Sequence, residues 1–197
     1  MEVRSNSRVR FRRESFGGFA YVPHRDDFFA LDKNAYELAS GISHTWVEAP
    51  KSSKNAYSRL AKLGICHTRG PATREISYSG PSFIGNFREI VTSPEPLVLN
   101  CFATAFCPLK CVYCHADDLM QDFRHGESED DLENVAATAS LIPSMVAVIT
   151  GGDPLTRPER AQTLIERLAA RKAIVLDTSG VGEIEQILPH LVEHSVH

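Results

Sequence analysis

Cys107-Pro108-Leu109-Lys110-Cys111-Val112-Tyr113-Cys114 places three thiols in one short loop, in C-x3-C-x2-C spacing. Thiolates converging from a single loop form a donor set suited to soft metals. Three are one short of the four that usually hold an iron–sulfur cluster, so a cubane bound here would leave one iron open to another ligand. That reading needs a second motif nearby to hold the ligand. Gly151-Gly152-Asp153-Pro154 is the candidate, because glycines, having no Cβ, let the backbone approach closely.

Working outward, Leu97-Val98-Leu99-Asn100-Cys101-Phe102 reads as a strand that feeds the cysteine loop. Asp130-Asp131 reads as the cap of a helix through Val135, Ala136, Ala139 and Ile142, ended by Pro143. Met145 to Thr150 is a continuous apolar run, as expected of a strand buried on both faces, with the glycine pair at its C-terminal end. Arg157 to Arg171 is amphipathic, with Ala161, Leu164, Ile165, Leu168 and Ala169 on one face. Ala173 to Asp177 is a third strand ending in Thr178-Ser179-Gly180, and Ile184, Ile187, Leu188 and Leu191 mark a last helix. This alternation predicts three βα units and a parallel sheet. Sites in such sheets lie at the C-terminal strand ends, where the cysteine loop, the glycine loop and Thr178-Ser179 all fall.

Together, Cys107, Cys111 and Cys114 with Gly151-Gly152-Asp153-Pro154-Leu155 resemble the radical S-adenosylmethionine (SAM) enzymes, the second stretch looking like their "GGEP" motif with Asp for Glu. The resemblance covers residues 94–197. It implies an α/β fold: a partial (βα) radical SAM barrel of about three βα units over 97–197. It implies a [4Fe–4S] cluster held by Cys107, Cys111 and Cys114, whose fourth iron chelates the amino and carboxylate groups of SAM. One electron then cleaves the sulfonium and releases a 5′-deoxyadenosyl radical. By the same resemblance Tyr113 lies near the adenine, Gly151, Gly152, Asp153 and Pro154 surround the SAM ammonium, and Thr178 and Ser179 are further SAM contacts. Asp153 is one methylene shorter than the usual Glu. The resemblance also implies an electron donor such as flavodoxin or ferredoxin, and it assigns no catalytic side chain. Radical SAM barrels normally have six or eight strands. Three units fit before His197, so the expectation is a fragment or truncated product of a longer enzyme.

Before this core, residues 8–13 alternate as a half-buried strand, Gly17-Gly18 reads as a hairpin turn, and Phe19 to Val22 as the return strand. Asp26-Asp27 marks another turn and Phe28 to Leu31 a third strand. Asp32 stands where an N-cap would, before Ala35, Leu38, Ala39 and Ile42. A second helix is expected from about Ser52 to Leu63, stopped by Gly64, with Ile65 to Thr68 entering a wing. Three strands, helices and a wing suggest a small α+β winged-helix-like domain over residues 1–80. In pattern it resembles the peptide-recognition element of enzymes that modify ribosomally made peptides, which implies a peptide substrate with a leader segment added as a strand to a sheet edge. Residues 81–96 read as a linker, with Ser93-Pro94-Glu95-Pro96 among its loop signals and Phe83, Ile84 and Phe87 packed on a domain surface.

A net charge of −4 over 197 residues argues against a mainly nucleic-acid-binding chain. A DNA-binding winged helix would use Arg4, Arg8, Arg10, Arg12 and Arg13, but these lie on a tail and a strand rather than a recognition helix. No apolar run reaches the length of a membrane span, and Met1-Glu2-Val3-Arg4-Ser5 lacks the core of a signal peptide. The expectation is a cytoplasmic protein, where five cysteines favour metal binding over disulfides. Three rival readings stay open. Cys111-Val112-Tyr113-Cys114-His115 matches a c-type haem motif, a Cys3His zinc site could recruit His115, and the chain could be a non-catalytic peptide-binding protein with a remnant barrel. Cys66 and Cys101 read as buried core thiols, and Asp117-Asp118 as solvated loop.

Overall fold

In the computed structural model, which describes residues 1–70, 83–85, 93–114 and 127–196, the chain divides into two compact units, Met1–Ser93 and Pro94–His197. The sequence calls on His115, on Asp117-Asp118 and on most of the linker, Phe87 included, lie outside the described residues.

The first unit holds two sheets. Strands β1 (Glu2–Ser5), β5 (Val47–Glu48) and β6 (Cys66–Arg69) form one, in the order β5-β1-β6 and antiparallel throughout. Strands β2 (Arg10–Glu14), β3 (Gly17–Val22), β4 (Asp27–Asp32) and β7 (Phe83–Ile84) form the other, with β7 running parallel to β4. Helices α1 (Lys33–Ser40) and α2 (Lys54–Lys62) complete the unit. Asp32 caps α1 as its position suggests, accepting from the Ala35 N–H at 2.8 Å.

Gly17 and Gly18 play a different part from the expected one. The hairpin turns at Ser15-Phe16, and both glycines lie inside β3. A Cβ on Gly18 would meet the Tyr36 ring at 2.3 Å, so the residue is small because α1 lies flat on the strand. The strand count also exceeds expectation. Strand β1 escaped notice because Val3, 1% exposed, is its sole fully buried side chain among polar neighbours. Strands β5 and β7 are each two residues long.

The second unit is a parallel sheet in the order β10-β9-β8, made of β8 (Val98–Thr104), β9 (Val146–Gly151) and β10 (Ala173–Leu176). Helix α3 (Glu129–Leu141) links β8 to β9, α4 (Pro158–Leu168) links β9 to β10, and α5 (Ile184–Glu193) follows β10. The cap of α3 is Ser128 rather than Asp130-Asp131. Ser128 Oγ accepts from the Asp131 N–H at 3.0 Å and donates to Asp131 Oδ2 at 2.6 Å. Asp131 is thus the third residue of a reciprocal cap. The helix stops at Leu141 because Ile142, preceding Pro143, is extended with ψ 126°.

Helix α4 supplies the core. Ala161, Leu164, Ile165 and Leu168 are fully buried, each larger side chain contributing about 1.5–3 kcal/mol of transfer free energy. They meet Ala147 and Ile149 of β9, also fully buried, in one apolar cluster. No helix among the described residues is long and apolar enough to cross a membrane.

Candidate metal and cofactor site

The three strands deliver three loops to one end of the sheet. The cysteine loop leaves β8, the glycine loop leaves β9, and Asp177-Thr178-Ser179 leaves β10.

Cys107 and Cys111 are half-buried and Cys114 is exposed, and none of the chain's five cysteines is in a disulfide. The loop folds on itself. Leu109 N–H points at Cys107 Sγ (3.4 Å) and Cys114 N–H donates to the Cys111 carbonyl (3.1 Å). Tyr113 projects into solvent, 84% exposed. A hydrogen bond to the Cys111 sulfur pushes its phenol above the ordinary tyrosine range. Cys101 and Cys66 are buried, each in the core of its own unit, as their strand positions suggested. Burial pushes the Cys66 thiol up to about 12 and raises that of Cys101.

The glycine loop is bonded directly to the start of the cysteine loop. Gly152 N–H donates to the Thr104 carbonyl at 2.8 Å, and Asp153 N–H donates to the Phe106 carbonyl at 2.7 Å. Thr156 Oγ1 adds a third bond to the same Phe106 carbonyl at 3.1 Å. Both glycines are needed for this approach. Gly151 has φ +143°, and a Cβ there would meet the Thr104 oxygen at 2.2 Å. A Cβ on Gly152 would meet the Phe106 oxygen at 2.1 Å. The faces they leave bare thus lie against residues 104–106, immediately before Cys107.

Asp153 is 1% exposed and turned inward. Its carboxylate accepts from Leu155 N–H (2.9 Å), Thr178 Oγ1 (2.7 Å), Ser179 N–H (2.9 Å) and the Ser179 hydroxyl. Burial alone would raise its pKa. The hydrogen bonds from Ser179, Thr178 and Leu155 outweigh burial and hold the carboxyl below its ordinary value. Asp153, Thr178 and Ser179, each expected to face a ligand, are therefore engaged with one another, and the carboxylate ties the glycine loop to the end of β10. Pro154 is buried and opens the 3-10 turn Pro154–Thr156.

A second buried network went unread in the sequence. Arg160 of α4 is 7% exposed and donates from Nε to the Ala103 carbonyl (2.7 Å) and from Nη1 to the Ser128 carbonyl (3.1 Å) and Glu129 Oε1 (3.0 Å). Glu127 lies 3.9 Å from its Nε and accepts from Thr104 Oγ1 (2.9 Å) and from the Ala105 N–H. The arginine thus anchors the end of β8, from which the cysteine loop springs. The signal was positional, since Arg160 falls beside Ala161 and Leu164 on the buried stripe of α4. Arg157 lies over the Phe106 ring, 5.0 Å from its centroid.

Residues 102–196 match the family model of the Radical SAM superfamily. Over 75 residues, 38% of the chain, the sequence is 31% identical to a protein of Methanothermobacter marburgensis described as a probable GTP 3′,8-cyclase, of which the match covers 24%. The solved structure of Streptococcus suis SuiB bound to S-adenosylmethionine aligns with 97% of this chain and 45% of its own, at 14% identity and a TM-score of 0.47. The chain spans about a quarter of the curated relative and less than half of that structure.

Proposed function

We propose that residues 102–196, which match the family model of the Radical SAM superfamily, form an enzyme domain of that type and hold a [4Fe–4S] cluster and S-adenosylmethionine at the three strand-end loops. Cys107, Cys111 and Cys114 would bind three irons, and their donor chemistry fits. They are free thiols on one loop, half-buried or exposed, with Cys101 and Cys66 held apart in the cores. Bound together, the two cofactors supply reductive cleavage of SAM to a 5′-deoxyadenosyl radical, with the electron coming from a donor such as flavodoxin or ferredoxin.

The observation that carries this reading is the pair of backbone bonds from Gly152 and Asp153 to Thr104 and Phe106. They fix the loop that would receive SAM beside the loop that would hold the iron. In this reading Gly151, Gly152 and Pro154 shape the SAM edge of the site through their backbone. Tyr113, exposed on the cysteine loop, would lie near the adenine. Asp153, Thr178 and Ser179 hold the glycine loop and the β10 loop together, so that any contact they make with SAM comes from their backbone atoms.

The N-terminal unit, read from the sequence as residues 1–80, is proposed to bind a peptide substrate through a leader segment, and the reaction to be modification of a ribosomally made peptide. Support comes from the places of β5 and β2 at the ends of their sheets' strand orders among the described residues, the kind of position at which a peptide can add as a strand. The free cysteines suit a reducing, cytoplasmic setting.

Anaerobic iron–sulfur reconstitution followed by EPR of the reduced protein, with and without SAM, tests the cofactor reading. A [4Fe–4S]⁺ signal that changes shape on adding SAM is expected, and iron content should fall to background in the Cys107→Ala, Cys111→Ala, Cys114→Ala variant. Unchanged iron in that variant would sink the assignment. Calorimetric titration of the full chain with candidate leader peptides tests the peptide reading separately, and no binding would remove it while leaving the cofactor site intact.

A further inference from the structure

We propose that His190, Glu193 and His194, at the C-terminal end of α5, form a second metal site for a divalent transition cation of the zinc type, separate from the cysteine loop. One ligand atom from each of the three lies within 4.8 Å of the others. The spacing i, i+3, i+4 puts all three on one face of the helix end. Two imidazoles and a carboxylate are a donor set that zinc accepts with a further position left for water or another group.

Three features point to a cation here. First, His190 Nδ1 is buried and makes no hydrogen bond among the described residues. It stands 3.2 Å from Glu166 Oε1 of α4, close enough for ionic attraction but out of line for a ring N–H bond. Buried polar atoms normally have partners, and a metal ion would supply one. Second, ligand atoms around a tetrahedral ion with bonds of about 2.0–2.1 Å stand about 3.4 Å apart. The Glu166–His190 separation is close to that, so Glu166 is placed to complete the set or to orient the ring. Third, α5 ends at Glu193, and the carbonyl end of a helix favours positive charge. Glu193 is exposed, and His194 is half-buried just past the helix end. Modest rotation of these two closes the remaining gap. The bound ion would pin the end of α5 to α4.

The test uses the full-length untagged chain with Cys107, Cys111 and Cys114 replaced by Ser, so that thiolates cannot compete. Co2+ is titrated while its visible absorption is followed, and Zn2+ is titrated by calorimetry. One equivalent of each is expected to bind, with a nitrogen–oxygen ligand-field spectrum. His190→Ala and His194→Ala should each weaken binding at least tenfold, and Glu166→Gln about tenfold, while His197→Ala changes nothing. Hydrogen exchange of the unmutated helix gives a readout that no variant's misfolding can confuse: Zn2+ should slow exchange across residues 184–196. No binding, or binding that survives the His190→Ala, His194→Ala double variant, or unchanged exchange over 184–196 would overturn the proposal.

Discussion

Asp153 and Ser179 are joined twice: the Ser179 backbone N–H donates to Asp153 Oδ2 at 2.9 Å, and the Ser179 hydroxyl donates to the same oxygen. With Thr178 on Oδ1, this carboxylate is the clasp between the loops after β9 and β10. The short acid is thus engaged by internal bonding, with Thr178 on one carboxylate oxygen and Ser179 on the other.

Asp153→Asn should therefore destabilise the second unit. The amide NH2 would face a donor at either oxygen position, so about 2–3 kcal/mol is expected, within the range for hydrogen bonds to charged groups. For a unit of this size that corresponds to a melting temperature lower by roughly 8–20 °C. The pH dependence fixes the mechanism. The folded pKa is lowered, so the contribution is complete above the unfolded Asp value of about 3.9 and is lost as pH falls through the folded value. Denaturation of wild type and variant from pH 7 downward should show a constant gap at neutral pH that closes only in acid. A gap that closes near neutrality would contradict this account.

Gly152→Ala should separate packing from conformation. Its new methyl would lie 2.1 Å from the Phe106 carbonyl oxygen, which is backbone and cannot rotate away. A cost of about 1–3 kcal/mol follows, together with loss of the SAM-dependent change in the EPR signal while the iron content stays. Gly180→Ala is the contrast. It has φ +76° but nothing within 4 Å of its added Cβ, so it should lose only the roughly 1–2 kcal/mol of left-handed strain and keep the SAM response. Equal effects of the two substitutions on SAM binding would mean that the contact with residues 104–106 does not matter.

Arg160→Leu should be among the costliest single changes in the second unit. It removes the cation beside Glu127, whose side chain is 14% exposed and keeps its bonds from Thr104 and Ala105, and it frees the Ala103 carbonyl. Breaking a buried pair by removing one partner costs about 3–5 kcal/mol. Adding Glu127→Leu should recover part of the loss, because the uncompensated charge goes with it. Urea denaturation of the two single variants and the double variant reads this as a double-mutant cycle. Strict additivity would show that the two residues do not interact.

The sequence made some of this legible and hid the rest for physical reasons. The βα order was readable because β9 is a run of buried apolar residues and α4 carries a clean stripe, both strong periodic signals. The cysteine and glycine motifs were readable because spacing along the chain is what they consist of. Side-chain direction was not. Nothing in Gly-Gly-Asp-Pro says that the Asp153 carboxylate is buried against the loop after β10, because its partners, Thr178 and Ser179, arrive from a different strand. Gly17-Gly18 misled for a similar reason. Glycine pairs usually mark turns, and what requires this pair in β3 comes from elsewhere in the chain: the Leu31 and Asp32 backbone lies against Gly17, whose φ is +143°, and the Tyr36 ring, brought back by α1, lies against Gly18. Ser128 lost the cap to the more conspicuous Asp130-Asp131, although its reciprocal bond with Asp131 uses one of them.

Thiol reactivity should divide the five cysteines in native protein without cluster. Burial pushes Cys66 up to about 12 and raises Cys101. At pH 8 the Cys66 thiolate fraction is then only about one in ten thousand, and the thiolate is the reactive form. Cys107 and Cys111 are half-buried and Cys114 is exposed, so iodoacetamide should reach them far sooner than it reaches Cys66 or Cys101. Peptide mass spectrometry after brief labelling should therefore find Cys107, Cys111 and Cys114 modified and Cys66 and Cys101 untouched, with all five modified in urea. Because a loaded cluster would bond the same three sulfurs, reconstitution should abolish the native labelling pattern and leave the urea pattern unchanged. Labelling of Cys107, Cys111 or Cys114 that persists in native protein after reconstitution would show that the ligand set differs from the three cysteines of the loop.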